Sequence, residues 1–308
     1  MIKEEKLPPL KIYQKKVWLE EYNKEPYKSI RQKVLDTFKD LVFIEDGHKY
    51  FLGDRELMCV SNMTHQFQEH FDPDVQAPLT YERNYDNPDS KYYHMTVDEI
   101  KEAWEKNSKH ACQHGTERHE FSESIFHFMV GEYDRILPEF KDRLMKDEDG
   151  RDYFLAVKAK EIAAGKVYMD MPDCLIPILA ETKVYNIEKE YAYSGTFDIL
   201  FYYNALLNHK PLTDSGLYVL DWKTNADLFK NFAGKTLLPP FDEMLDMPKS
   251  MYILQLNSYQ MALEKIGLKV IARKLFWLLP DGTYQKIPLE NITKKLNEAL
   301  KEKGKNNC

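Results

Sequence analysis

A mixed α/β fold follows from three features of this sequence. The first half carries helical apolar stripes, a capping pattern and a hairpin signal. Residues 176–187, 190–203, 216–223 and 268–279 are rich in Ile, Val, Tyr and Phe and read as strands. A helical stripe over 251–266 separates the last two of these strands. Helices and hairpins followed by strand–helix–strand is the order of one mixed domain rather than of two independent units. With 308 residues, 43% apolar and 13% aromatic, the chain can bury a sizeable core, which excludes general disorder.

Taken in order, residues 1–25 are polar with Pro8-Pro9 and read as a loose arm. A helix is predicted from Tyr27 to Leu41, with Ile30, Val34, Leu35 and Phe38 as its apolar stripe. Asp46-Gly47 lies between two strand-prone runs and predicts a hairpin. A further strand over Glu56–Val60 ends at Ser61, a candidate cap for a short helix from Met63. Residues 72–95, rich in Pro, Asp and Tyr, read as a long loop whose Tyr81, Tyr85, Tyr92 and Tyr93 either stack bases or pack together.

Thr96 with Glu99 predicts a capping box and a helix to about Asn107, and Gly115-Thr116 opens a second helix to about Met129. A third helical region is predicted over 134–165, broken near Pro138 and Asp149-Gly150. Residues 224–250 read as irregular and 290–302 as a terminal helix. The chain thus divides into an N-terminal elaboration, 1–95, and a core, 96–308, forming one compact unit.

Lys and Arg number 43 against 50 Asp and Glu, a net charge of −7. That excludes a protein that coats nucleic acid by bulk charge, but leaves room for a local basic groove or an acidic site neutralised by metal ions. The four cysteines, at 59, 112, 174 and 308, are too scattered for a disulfide scaffold or a zinc ribbon, and a reducing, intracellular setting is expected. No apolar run reaches the roughly 18 residues of a membrane span, and the start, MIKEEKLPPL, has no apolar stretch like that of a secretory signal. His110 and His114, with Cys112 between them, have a zinc-like spacing but lack a fourth ligand.

The chemistry centres on Ser194-Gly195-Thr196-Phe197-Asp198 and Val219-Leu220-Asp221-Trp222-Lys223-Thr224. Strand side chains alternate between faces, so Asp221 and Lys223 share one and Trp222 takes the other. If the two strands pair, Asp198 and Asp221 converge with an ammonium group. Mg²⁺ takes one or two carboxylates plus waters, and a metal-bound water beside a lysine suits phosphodiester hydrolysis. The residues alone leave a second reading open, since an Asp and a Lys two apart on a strand also make an ordinary surface pair. Their position after the apolar run Leu217–Leu220 favours burial, where bare charges are costly.

These motifs resemble the active-site core of the PD-(D/E)XK nuclease superfamily, in the RecB-like branch that includes phage exonucleases and the mitochondrial genome maintenance exonuclease. Three further segments carry the likeness: Gly115 to Glu123, including His119; Glu181 on the preceding strand; and Gln255-Leu256-Asn257-Ser258-Tyr259, a Q-x-x-x-Y pattern. The stretch ending in Val60-Ser61-Asn62-Met63-Thr64 resembles the branch's Ser-Val-Thr-like segment, with departures. The resemblance spans about residues 110–280. It implies a restriction-endonuclease-like core, a mixed central sheet flanked by helices, with a helical and hairpin N-terminal elaboration.

It also implies a metal-dependent DNA exonuclease acting on single strands or free ends, beside replication or recombination proteins, in the cytoplasm of a bacterial or phage-infected cell. Asp198, Asp221 and Lys223 would be catalytic. His119, Asp198, Asp221 and the Trp222 carbonyl would hold Mg²⁺ or Mn²⁺. Glu123, Glu181, Gln255, Tyr259, Ser61 and Thr224 would support the site or touch DNA. A related branch binds an iron–sulfur cluster through four cysteines, three of them near the C-terminus; only Cys308 lies there, so no cluster is expected. The non-enzymatic alternative is a DNA-binding or scaffolding protein on an inactive nuclease core.

Overall fold

The computed structural model describes residues 7–231 and 234–306. Its strands are β1 (Leu10–Tyr13), β2 (Leu41–Ile44), β3 (Lys49–Leu52), β4 (Arg55–Cys59), β5 (Leu144–Lys146), β6 (Asp152–Ala156), β7 (Leu175–Ile187), β8 (Ala192–Tyr203), β9 (Gly216–Lys223), β10 (Val270–Leu278) and β11 (Tyr284–Pro288). Its helices are α1 (Lys16–Glu21), α2 (Tyr27–Phe38), α3 (Val60–His65), α4 (Pro73–Asn84), α5 (Val97–Met129), α6 (Ala159–Asp170), α7 (Pro248–Lys265) and α8 (Thr293–Asn306). Among the described residues no helix is long and apolar enough to cross a membrane.

The fold is mixed α/β, with a mixed eight-stranded sheet flanked by helices. The strands run β11-β10-β9-β8-β4-β3-β2, with β7 also paired to β8. β7, β8 and β9 form an antiparallel meander, and β10 lies parallel to β9 after the crossover through α7. The predicted hairpin forms as β2 and β3, with Gly47 and His48 both at positive φ in the turn. β4, from the N-terminal segment, lies parallel to β8 through Met58–Tyr193 and Cys59–Ser194.

This pairing divides one edge of β8. Residues 199–203 pair with β9 and residues 193–194 with β4, which leaves 195–198 without a strand partner on that edge. Helical side chains pack closely over this stretch. At Gly195 a Cβ would lie 2.9 Å from the Tyr259 ring of α7 and 3.1 Å from Val60 of α3. The glycine of the SGTFD motif is thus required by close packing.

Several sequence expectations are corrected. The described part of the N-terminal arm is structured: β1 pairs with β6, and Trp18 of α1 is fully buried, edge-on to Tyr168 and Phe201. Two large apolar side chains, Ile12 and Trp18, anchor this otherwise polar segment. Ser61 is not the cap of the short helix. That helix begins at Val60, and Cys59 is its cap, the Sγ accepting the Asn62 N–H at 3.4 Å. Residues 72–95 are not one loop, because Asp72 caps a helix with Pro73 in its first turn, and α4 results.

The capping box at Thr96 and Glu99 forms, but it starts one 33-residue helix rather than the first of two. Gly115 sits inside that helix and does not open a second one. Residues 144–156 are a hairpin, β5–β6, and not helix. The Asp147 carboxylate turns it by accepting the N–H groups of Asp149 and Arg151 at 3.0 and 2.9 Å. The short strand β11 was not anticipated.

Two glycines should respond oppositely to alanine. Gly195→Ala forces a methyl group against Tyr259 and Val60 and should cost about 1–3 kcal/mol. Gly115→Ala meets nothing within 4 Å and should gain about 0.5–1 kcal/mol of helix stability. Urea unfolding midpoints of the two variants check both signs.

Candidate metal centre

The divided edge of β8 gathers the charged residues. β7–β8 register sets Glu181 opposite Asp198, and β8–β9 register, carried one residue beyond Ile199–Leu220, sets Asp198 opposite Asp221. Three carboxylates therefore lie in a row across three strands. The β8–β9 ladder stops here, and the Asp198 Oδ2 atom accepts the Trp222 N–H at 2.7 Å in place of a backbone carbonyl. An extended residue directs its N–H and C=O to the same neighbour, so the Trp222 carbonyl is turned toward this strand too. The indole is buried on the other side, against Tyr168 and Phe276.

α5 brings His119 over the row. Its Nδ1 lies 3.3 Å from Glu181 Oε1 and 3.5 Å from Asp198 Oδ1. One ligand atom each from His119, Glu181 and Asp198 fall within 4.8 Å of one another, a spacing a single cation can span. Glu181 holds a left-handed backbone, φ +42°, inside a long strand. Such a conformation costs on the order of 1–3 kcal/mol for a residue with a Cβ and points to a functional constraint.

Asp221 and Lys223 complete the cluster. Asp221 is 1% exposed, and neither of its oxygens accepts a well-directed hydrogen bond among the described residues. Its partner is the Lys223 ammonium, 2.5 Å from Oδ2. Lys223 Nζ also lies 4.2 Å from the centre of the Tyr252 ring, whose hydroxyl donates to Asn225 at 3.0 Å. A buried carboxylate short of donors is the kind of group a cation completes. Oxygens plus one imidazole suit Mg²⁺ or Mn²⁺, so the residues present fit the expected metal.

The remaining predicted residues take different places. Glu181 stands in the converging set, where the sequence suggested only support. Glu123 points up α5 toward buried His127, 3.6 Å from its Nε2. Gln255 donates to the Tyr259 hydroxyl at 3.1 Å, one turn on along α7, and buried Tyr259 feels the charges of Asp221 and Asp198. The Thr224 carbonyl accepts from Lys160 Nζ at 2.7 Å. Ser61 is exposed in the first turn of α3. The side chains of His110, Cys112 and His114, and all of Cys308, lie outside the described residues. Tyr252 was missed in sequence, although it sits one and two turns before Gln255 and Tyr259 on one helix.

No protein-family description matches the chain, and no curated protein matches it either.

Burial and mutual repulsion govern the titrations. Burial first, and then the Asp198 charge, push the Asp221 carboxyl up to about 7 against the pull of Lys223. Burial also raises Asp198 and Glu181. For His119 burial acts downward, but the Asp198 and Glu181 charges outweigh it and hold the imidazole at about 9.

All of these groups bind protons more tightly folded than unfolded. The carboxylates therefore add a penalty that grows as pH rises from about 4 and, for Asp221, is complete above about 7. The His119 contribution is complete below about 6.5 and is lost through about 9. In EDTA the melting temperature should fall between pH 5 and 9. Saturating Mn²⁺ should raise it most at the alkaline end, by several degrees at about 100 times the dissociation constant. Asp198→Asn should abolish the metal-induced rise; a rise of equal size in that variant would place the metal elsewhere.

Proposed function

We propose that the chain is a divalent-metal-dependent deoxyribonuclease of the PD-(D/E)XK kind, acting as an exonuclease on single-stranded ends. The observation that carries this reading is the buried, donor-poor Asp221 paired with Lys223 beside the converging His119, Glu181 and Asp198. His119, Glu181 and Asp198 would hold Mg²⁺ or Mn²⁺, with Asp221 and the Trp222 carbonyl alongside. Bound there, the ion supplies an activated water and offsets charge on the phosphate oxygens.

The chain's own residues do the rest. Burial pushes the Lys223 ammonium toward losing its proton, but Asp221, Tyr252 and Asp198 outweigh it, so the group stays charged. It therefore acts as a hydrogen-bond donor that positions the attacking water and balances phosphate charge, not as the resting base. Asp221 and the Tyr252 ring fix its direction. Asp198 ties β8 to β9 through the Trp222 N–H, which holds both carboxylates in register.

Single-strand preference is supported by the aromatic cluster at the start of α5. Tyr81, Tyr85 and His94 pack in sequence, Tyr93 and His94 are exposed, and the Trp104 indole donates to the Tyr92 hydroxyl at 2.8 Å. Part of the tyrosine set is thus spent on mutual packing, and the exposed faces offer base stacking worth about 1–3 kcal/mol per base.

Digestion of end-labelled linear and circular DNA, single-stranded and duplex, with Mn²⁺ or EDTA, tests the proposal. Linear single strands should be shortened only with metal, and circles should resist. Lys223→Ala should lower the rate by about 10²–10⁴-fold while leaving metal and DNA binding in place. Failure of the wild-type protein to cut any substrate with Mn²⁺ would favour the alternative, a DNA-binding module on an inactive nuclease core.

A further inference from the structure

The face of β9 that carries Tyr218, Leu220 and Trp222 is the reverse of the one that carries Asp221 and Lys223. On that reverse face lies a half-open cavity of about 560 Å³, within the 300–1,000 Å³ typical of small-molecule sites. Three lysines line it, Lys210, Lys274 and Lys286. β9–β10 register puts Lys274 beside Leu220, and β10–β11 register puts Lys286 beside Phe276, so the two ammonium groups come from diagonal neighbours.

None of the three lysines forms an ion pair among the described residues. The single carboxylate on the cavity wall is exposed Asp214, which leaves an excess of positive charge. Lys274 is half-buried, with its ammonium 4.8 Å from the centre of the Tyr218 ring. Burial, and then the charge of Lys286, lower its pKa, so the two ammonium groups repel each other.

The Lys286 ammonium lies 5.5 Å from the centre of the Tyr284 ring, so both lysines line the wall held only by aromatic faces. Two like charges on the wall of one concavity, one of them partly desolvated, suit an anion with more than one negative oxygen. The rest of the wall selects the remainder of the ligand. Tyr203 and Tyr218 contact each other at 5.9 Å between centroids, and Leu175, Leu220 and Phe276 supply apolar surface. We propose that this cavity binds a nucleoside phosphate, with the phosphate between Lys274 and Lys286 and the base against the tyrosine and apolar wall. The ligand is either a free nucleotide or the phosphorylated end of a strand. The site is separate from the metal centre, and the proposal does not depend on nuclease activity.

Isothermal titration of the full chain in EDTA tests it, with dAMP, deoxyadenosine, inorganic phosphate and a 5′-phosphorylated phosphorothioate oligonucleotide as probes. Saturable dAMP binding is expected, weakening with salt and at least tenfold tighter than that of deoxyadenosine or phosphate. A Lys274→Met, Lys286→Met double variant should lose at least tenfold in affinity. Lys274→Arg with Lys286→Arg should keep most of it, and Lys223→Ala should match the wild type. The double methionine variant should melt no lower than wild type, since it removes a repulsion.

Oligonucleotide binding tighter than that of dAMP, and equally sensitive to the methionine variant, would support the site with a strand end as the source. The proposal is overturned if neither dAMP nor the oligonucleotide saturates, or if the methionine variant binds as the wild type does. It is also overturned if deoxyadenosine binds as well as dAMP, or if Lys223→Ala removes the binding.

Discussion

The interrupted edge of β8 is the constraint on which the site depends. A continuous ladder would have consumed the backbone groups around Asp198 and closed the sheet. Instead β9 leaves after Ile199 and β4 arrives only at Ser194. The orphaned Trp222 N–H then needs an acceptor, and the Asp198 carboxylate is the one in reach. Tyr259 packs closely over β8 at this point, which Gly195 permits. A row of carboxylates at such a break costs desolvation, and the fold offsets it with one cation from α5, His119, and one from β9, Lys223.

Much of this was legible in sequence, for reasons that differ by segment. The runs that became β7 to β10 are long, apolar and β-branched, so local preference and burial agree. The stripe of α2 and the Asp46-Gly47 turn are likewise local signals. Asp221 and Lys223 sharing a face follows from strand alternation alone. The ordered arm was hidden because its stability comes from single large side chains, Ile12 and Trp18, docking far away in the chain. The β5–β6 hairpin was masked by charged residues that read as a helix surface. Glu181 could not be placed beside His119 from sequence, since no local signal marks the left-handed backbone it adopts inside a strand. Tyr252 was hidden because its aromatic ring on an amphipathic helix looks like core.

The two faces of β9 handle positive charge in opposite ways. Lys223 is held by a carboxylate 2.5 Å away and an aromatic ring, so its charge is fixed and directional. Lys274 has an aromatic neighbour and a like charge but no ion-pair partner among the described residues. The first arrangement fits the positioning role proposed for Lys223, and the second fits the anion site proposed on the reverse face. Both are built on one strand by side-chain alternation.

The unbroken course of α5 makes it a ruler. Trp104 holds the aromatic cluster near one end, and His119 stands fifteen residues on, about 22 Å along the axis at 1.5 Å per residue. With a base spacing of 3.4 Å, that length corresponds to about six or seven stacked nucleotides. A strand lying along the helix would reach from ring cluster to carboxylates only above that size. Under the proposed function, the helix that sequence reading divides between Asn107 and Gly115 would thereby set the smallest oligonucleotide able to engage both ends at once.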